Sequence, residues 1–344
     1  MKKSKVYFNT CVVLIISILL IWYFLKDNYK ISIEVLKSAN LFWLFFAILF
    51  FIGYFLLETL LMKILINKHK KNYSYKSALK LYLMTKFFNG ITPFSSGGQP
   101  LQLLEMKKEG VSYLDGSTVL VKHFIILQSS VVLLSILSII CNTIFHFINP
   151  TGFLKIVLVL GFVINYTLLF VVIFLSYKIS ICEKVCGFFV GICVKFKLVK
   201  NKEKTTLNIC KSLEDYQTGY KDLVKNRPYF FKLVLLESLA LALSFSVPFF
   251  VFKALGSPYN NYLVTLSIAI FTFMIGSFVP IPGGTGGMEY AFINLNEFVI
   301  PTKYLSVSLI LWRVIDYYAP MIIGGIFFNY EKAKRNFKSI ENKL

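Results

Sequence analysis

Pro280-Ile-Pro-Gly-Gly-Thr-Gly-Gly-Met-Glu289 interrupts an otherwise apolar stretch and ends on a carboxylate. Residues 264–279 before it are mostly apolar, and after it come Tyr290 to Leu295 and the long apolar run Leu305 to Phe328. The two prolines and four glycines of this stretch cannot continue a helix. Proline removes a backbone donor, and each glycine costs about 1 kcal/mol against alanine. In hydrocarbon, irregular backbone survives only where protein buries it or where it lines a polar cavity. Broken helices of this kind point to the binding site of a transporter-like membrane protein.

The rest of the chain supplies the membrane context. Its 344 residues are 56% hydrophobic and 16% charged, with a mean hydropathy of +0.67. A soluble domain carries charges at about a quarter of its positions. Apolar runs of membrane-spanning length recur, which excludes a soluble protein and predicts an all-α polytopic one. The net charge of +20 collects in the connections and the tail, as the inside-positive bias and anionic lipid both require, so nucleic acid is not the expected partner. Arginine occurs only at Arg227, Arg313 and Arg335, which singles out Arg313 among apolar neighbours. The cysteines (11, 141, 182, 186, 193 and 210) form no CxxC pair and the histidines are scattered. No metal site and no cofactor is expected. No phosphate-binding loop for ATP is present either, so any transport is passive or ion-coupled.

Taken in order, the chain reads as a single integral membrane domain over 1–344. About six full spans are expected at Phe8–Leu25, Leu41–Ile66, Ser117–Phe145, Leu154–Tyr177, Phe230–Leu255 and Lys303–Phe328. The first is taken as uncleaved, because no small-residue cleavage site follows it. A second break, Thr92-Pro-Phe-Ser-Ser-Gly-Gly-Gln-Pro100, divides residues 81–105 into halves too short to span. It therefore reads as a re-entrant helical hairpin entered from the cytoplasmic side. Residues 260–299 form the opposed hairpin, entered from outside. The first half, 8–177, and the second half, 229–329, thus share a form, which is the pattern of an inverted repeat with its site where the breaks meet. Segment 178–228 is basic and cytoplasmic, and the tail 330–344 carries Lys332, Lys334, Arg335, Lys338 and Lys343. Both termini are expected inside.

The candidate substrate-binding residues lie at the two breaks and on the last span. Gly283, Gly284, Gly286 and Gly287 let a ligand approach backbone N–H groups at a helix start, which Thr285 is placed to cap. Such a terminus suits an anion such as a lipid phosphate. Pro93, Ser96, Gly97, Gly98 and Gln99 belong to a turn that could make a second such site, and Pro282 belongs to the first. The alternative is that these glycines serve only tight helix packing. Glu289 falls in the first helical turn, where it caps, meets a cationic headgroup or pairs with Arg313. Arg313 and Asp316, three apart, are also able to pair with each other. Intramembrane charges are functional candidates by default, and Glu58, Lys122, His123 and Glu237 form a secondary set. No residue is assigned a catalytic role.

These motifs together resemble the flippase-like transmembrane domain of lysylphosphatidylglycerol synthases. Ile91-Thr-Pro-Phe-Ser-Ser-Gly-Gly-Gln-Pro100 looks like its first signature, Pro280–Glu289 like its second, and Leu311-Trp-Arg-Val-Ile-Asp-Tyr-Tyr318 like its third. Other branches carry an acidic residue at Gln99 and a basic one at Gln102. Many members have a Glu-Arg pair where Lys122-His123 stands here. The resemblance implies movement of an anionic or aminoacylated phospholipid between leaflets of the bacterial cytoplasmic membrane, and with it resistance to cationic antimicrobial peptides. The soluble aminoacyl transferase of the two-part proteins has no counterpart after the last span, so a stand-alone translocase is expected. The rival readings are a membrane-embedded lipid-modifying transferase and a partner of a separate lipid synthase. Membrane phospholipid, such a synthase and a second copy of the chain are the candidate partners.

Overall fold

Polar residues set the helix starts. In the computed structural model, which describes residues 29–177, 217, 221, 223–259 and 261–341, Asn40 accepts from the Phe42 N–H at the head of α2 (Leu41–Asn67), after the short α1 (Tyr29–Lys37). Ser74 accepts from Ser77 at the start of α3 (Tyr75–Gly90), and Ser112 from Asp115 at the start of α5 (Tyr113–Phe145). Asn226 and Asn261 likewise cap α7 (Arg227–Phe245) and α9 (Tyr262–Gly276). Each cap satisfies an N–H that has no intrahelical partner, worth about 1 kcal/mol. The other helices are α4 (Gly98–Lys108), α6 (Gly152–Tyr177), α8 (Val247–Ala254), α10 (Gly287–Asn296), α11 (Thr302–Arg313) and α12 (Ala319–Glu341).

The protein is an all-α, multi-pass membrane protein. Five helical stretches among the described residues are long and apolar enough to cross a bilayer: Leu41–Asn67, Tyr113–Phe145, Gly152–Val171, Arg227–Ala254 and Thr302–Lys334. Large apolar side chains on them face outward, including Leu41, Phe45, Ile140, Phe170 and Ile326. In water such a surface would aggregate; in lipid it is solvated. The expected span Phe8–Leu25 lies outside the described residues, as does most of the basic segment 178–228.

Several boundaries differ from expectation. The hairpin expected over 81–105 runs from Tyr75 to Lys108, because Ser74 starts the helix earlier than the apolar pattern does. The second, expected over 260–299, runs from Tyr262 to Asn296. The span beginning at Phe230 breaks at Ser246, where Pro248 enters the first turn of α8. The last span is not a uniform α-helix, since Val314–Tyr318 between α11 and α12 is a π-helical turn. Such turns recur at functional sites. Helix α12 then continues to Glu341, so the segment expected as a separate tail from 330 extends the same helix.

The two hairpins have the same construction. α3 and α4 pack against each other and are joined by the 3₁₀ turn Pro93–Ser95; α9 and α10 are paired in the same way through Pro282–Gly284. Helices of 16, 11, 15 and 10 residues are about 15–24 Å long, below the roughly 30 Å of hydrocarbon. The two turns touch each other. Each hairpin is also clamped by a glycine on a long helix. A Cβ on Gly324 of α12 would collide with the Leu83 carbonyl of α3, and one on Gly161 of α6 would lie 2.6 Å from the Met274 carbonyl of α9. Small residues there allow the backbones to approach closely, a common device where lipid supplies no hydrophobic drive between helices.

Candidate functional site

At the first break, the backbone is held by neighbouring side chains. Thr92 Oγ1 donates to the Phe88 carbonyl (2.7 Å) and accepts from the Gly97 N–H (2.8 Å). The Gly98 N–H donates to Asn89 Oδ1 at 2.9 Å. Gly97 and Gly98 therefore offer no spare N–H to a ligand. Pro93, Ser96 and Gln99 are exposed on this turn, with the Ser96 hydroxyl donating to the Pro93 carbonyl.

The second break uses its carboxylate differently. Gly283, Gly284 and Gly286 have φ of 66°, 63° and 88°, a region open to glycine without strain. Thr285 does not cap α10. Its hydroxyl donates to the Pro282 carbonyl (2.6 Å), closing the turn on itself. The cap comes from Glu289, whose Oε2 reaches back to the Gly286 N–H at 2.6 Å. Its other oxygen accepts from Arg313 Nε at 2.7 Å, and both residues are only 3% exposed. Arg313 Nη2 also donates to the Gly283 carbonyl (3.1 Å), and its guanidinium lies 4.5 Å from the centre of the Tyr317 ring. Two of the five guanidinium N–H groups are engaged in this way.

Tyr317 joins the two breaks. Its ring sits where a Cβ on Gly283 would be, and its hydroxyl donates to the Gly90 carbonyl at the end of α3 (2.8 Å). Asp316 does not pair with Arg313; it accepts from Ser244 of α7 at 2.9 Å. The i, i+3 reading assumed an α-helical turn, and the π turn places Asp316 differently.

The secondary candidates converge as well. Glu58 of α2, His123 of α5 and Glu237 of α7 have donor atoms within 4.8 Å of one another, with His123 Nε2 3.3 Å from Glu58 Oε2. Lys86 of α3 interacts electrostatically with Glu58, Glu237 and Asp316. Its ammonium donates to the Tyr54 hydroxyl (2.9 Å), which also accepts from Tyr82 (3.0 Å). Lys122 is buried next to His123 in sequence and interacts electrostatically with Asp115. Lys86, Tyr54, Tyr82 and Tyr317 are absent from the sequence-based set. A lysine on a helix too short to span was the legible sign for Lys86; the tyrosines gave none.

The model of the lysylphosphatidylglycerol synthase transmembrane region matches residues 11–324, nearly the whole chain. The chain belongs to that family. A UPF0104 membrane protein of Archaeoglobus fulgidus is 28% identical over 324 residues, covering 92% of this chain and 94% of the relative. In this family member, the Pro/Gly breaks at 92–100 and 280–289 and the Arg313 helix meet around Tyr317.

Proposed function

We propose that this family member is a phospholipid translocase, moving an anionic or aminoacylated phospholipid between leaflets of the cytoplasmic membrane of a bacterium. The supporting observation is the contact of two non-helical breaks, bridged by Tyr317 beside the buried Glu289–Arg313 pair. In this reading the paired helices are opposed re-entrant hairpins. The unused N–H groups of Arg313 and the first-turn N–H groups of Gly287 and Met288 attract the phosphate. Glu289 holds the guanidinium in place and keeps the resting site near neutral, so a headgroup can leave as well as arrive.

A crevice between α3 and α12 of about 290 Å³ is lined by Lys76, Lys80, Glu331 and Lys334 beside Leu79, Leu83 and Phe327; Glu331 pairs with Lys80 at 3.1 Å, and Lys76 and Lys334 fit the approach of such a headgroup. Ammonium groups over apolar walls match a phosphate above acyl chains. This side is then cytoplasmic.

The test is exchange of a labelled phospholipid between leaflets of liposomes holding the purified protein, against empty liposomes and folded Arg313→Ala protein. Exchange that needs Arg313 is expected, fastest with anionic or lysyl-bearing headgroups. Equal rates with and without protein for every such lipid would refute the reading.

A further inference from the structure

We infer that Glu58, His123 and Glu237 form a buried site for one divalent transition-metal ion. The three side chains come from α2, α5 and α7, which pack on one another. Glu237 is fully buried, and neither carboxylate oxygen meets a hydrogen-bond donor among the described residues. Glu58 is 3% exposed and is itself a carboxylate. An unpaired charge in so dry a place costs several kcal/mol, which either a proton or a bound cation removes.

The geometry accommodates a metal ion. Three atoms no more than 4.8 Å apart lie within about 2.8 Å (4.8/√3) of a common point, and metal–oxygen and metal–nitrogen bonds to such ligands are about 2.0–2.2 Å. Side-chain shifts of less than about 1 Å close the difference. A proton shared by the two carboxylates engages one Glu237 oxygen and leaves the other buried without a partner. An imidazole with two carboxylates suits Zn²⁺, Mn²⁺, Fe²⁺ or Co²⁺ rather than Ca²⁺ or Mg²⁺. The sequence offered no metal motif because the three ligands lie far apart in the chain on separate helices.

Full-length protein in detergent, stripped with chelator, would be given Co²⁺ or Zn²⁺, passed through gel filtration and assayed for metal by mass spectrometry. Visible absorption of the Co²⁺ form reports its ligands. About one ion per chain is expected for wild type and for His69→Gln, whose histidine lies outside the cluster. Glu237→Gln and His123→Gln should bind at least ten-fold more weakly, since loss of even an outer-shell partner costs roughly 10–100-fold at other metal sites. Wild-type protein that retains neither Co²⁺ nor Zn²⁺ would overturn the inference and leave the carboxylates sharing a proton. So would folded variants that bind as wild type does. If the variants do not fold, the wild-type stoichiometry and the Co²⁺ spectrum still decide, and a spectrum lacking nitrogen ligation would overturn it.

Discussion

Arg313 donates its Nε–H to Glu289 Oε1 at 2.7 Å in a place where each residue is 3% exposed. With the Arg313–Gly283 bond and the Tyr317 ring, this contact ties the last membrane helix to the tip of the second hairpin. Because Glu289 also holds the Gly286 N–H, the pair sets the shape of the glycine turn as well as its charge. Removing one partner of a buried pair typically costs about 3–5 kcal/mol, while apolar replacement of both is often neutral. Arg313→Ala should therefore lower thermal stability in detergent more than the Glu289→Leu/Arg313→Met double variant does. Leaflet exchange should be lost in both. A double variant that unfolds as readily as the single one would show that the lost bonds to Gly286 and Gly283, rather than the ion pair, carry the cost.

Tyr317 supports a finer test. Tyr317→Phe keeps the ring against Gly283 and removes only the hydroxyl that donates to the Gly90 carbonyl. Loss of that bond should cost about 1 kcal/mol and lower the melting temperature by a few degrees. Exchange should change by a larger factor than stability if the hydroxyl keeps the two hairpin tips in register. An exchange rate matching wild type would confine Tyr317 to packing.

The glycines of the second turn separate backbone strain from crowding. A Cβ on Gly286 meets nothing within 4 Å, but its φ of +88° with ψ of −54° lies outside the left-handed helical region; alanine there should cost about 1–3 kcal/mol from backbone conformation alone. Gly283→Ala adds a collision with the Tyr317 ring to the strain of φ +66°, so it should be the more destabilising. Thermal unfolding of the two variants in parallel gives the order. The reverse order would show that Tyr317 gives way freely.

Thr92→Val probes the first turn. The substitution removes the hydroxyl that donates to the Phe88 carbonyl and accepts from the Gly97 N–H. An amide buried without its partner costs about 1–3 kcal/mol. The variant should fold with a weakened tip, seen as faster amide exchange confined to residues 92–98. Uniform loss of protection across α3 and α4 would mean that Thr92 supports the whole hairpin instead.

Composition and the recurrence of apolar runs determined the all-α membrane class, because a bilayer leaves no alternative to satisfying backbone polar groups within helices. The Pro/Gly breaks were equally legible, since no packing rescues two prolines and four glycines as continuous helix. The three motifs resembled a family whose model matches residues 11–324. Partners within the site were not legible. Sequence left Arg313 free to pair with Asp316 or Glu289; the π turn and the approach of the second hairpin decided for Glu289. Thr285 looked like a cap, yet its hydroxyl closes on the Pro282 carbonyl and Glu289 takes the capping role. Lys86, Tyr54, Tyr82 and Tyr317 look ordinary along the chain and become part of a polar interior only when helices from both halves meet. Periodicity and backbone chemistry are local and are written in consecutive residues, whereas a buried charge chooses its partner by distance, which only the packed helices define.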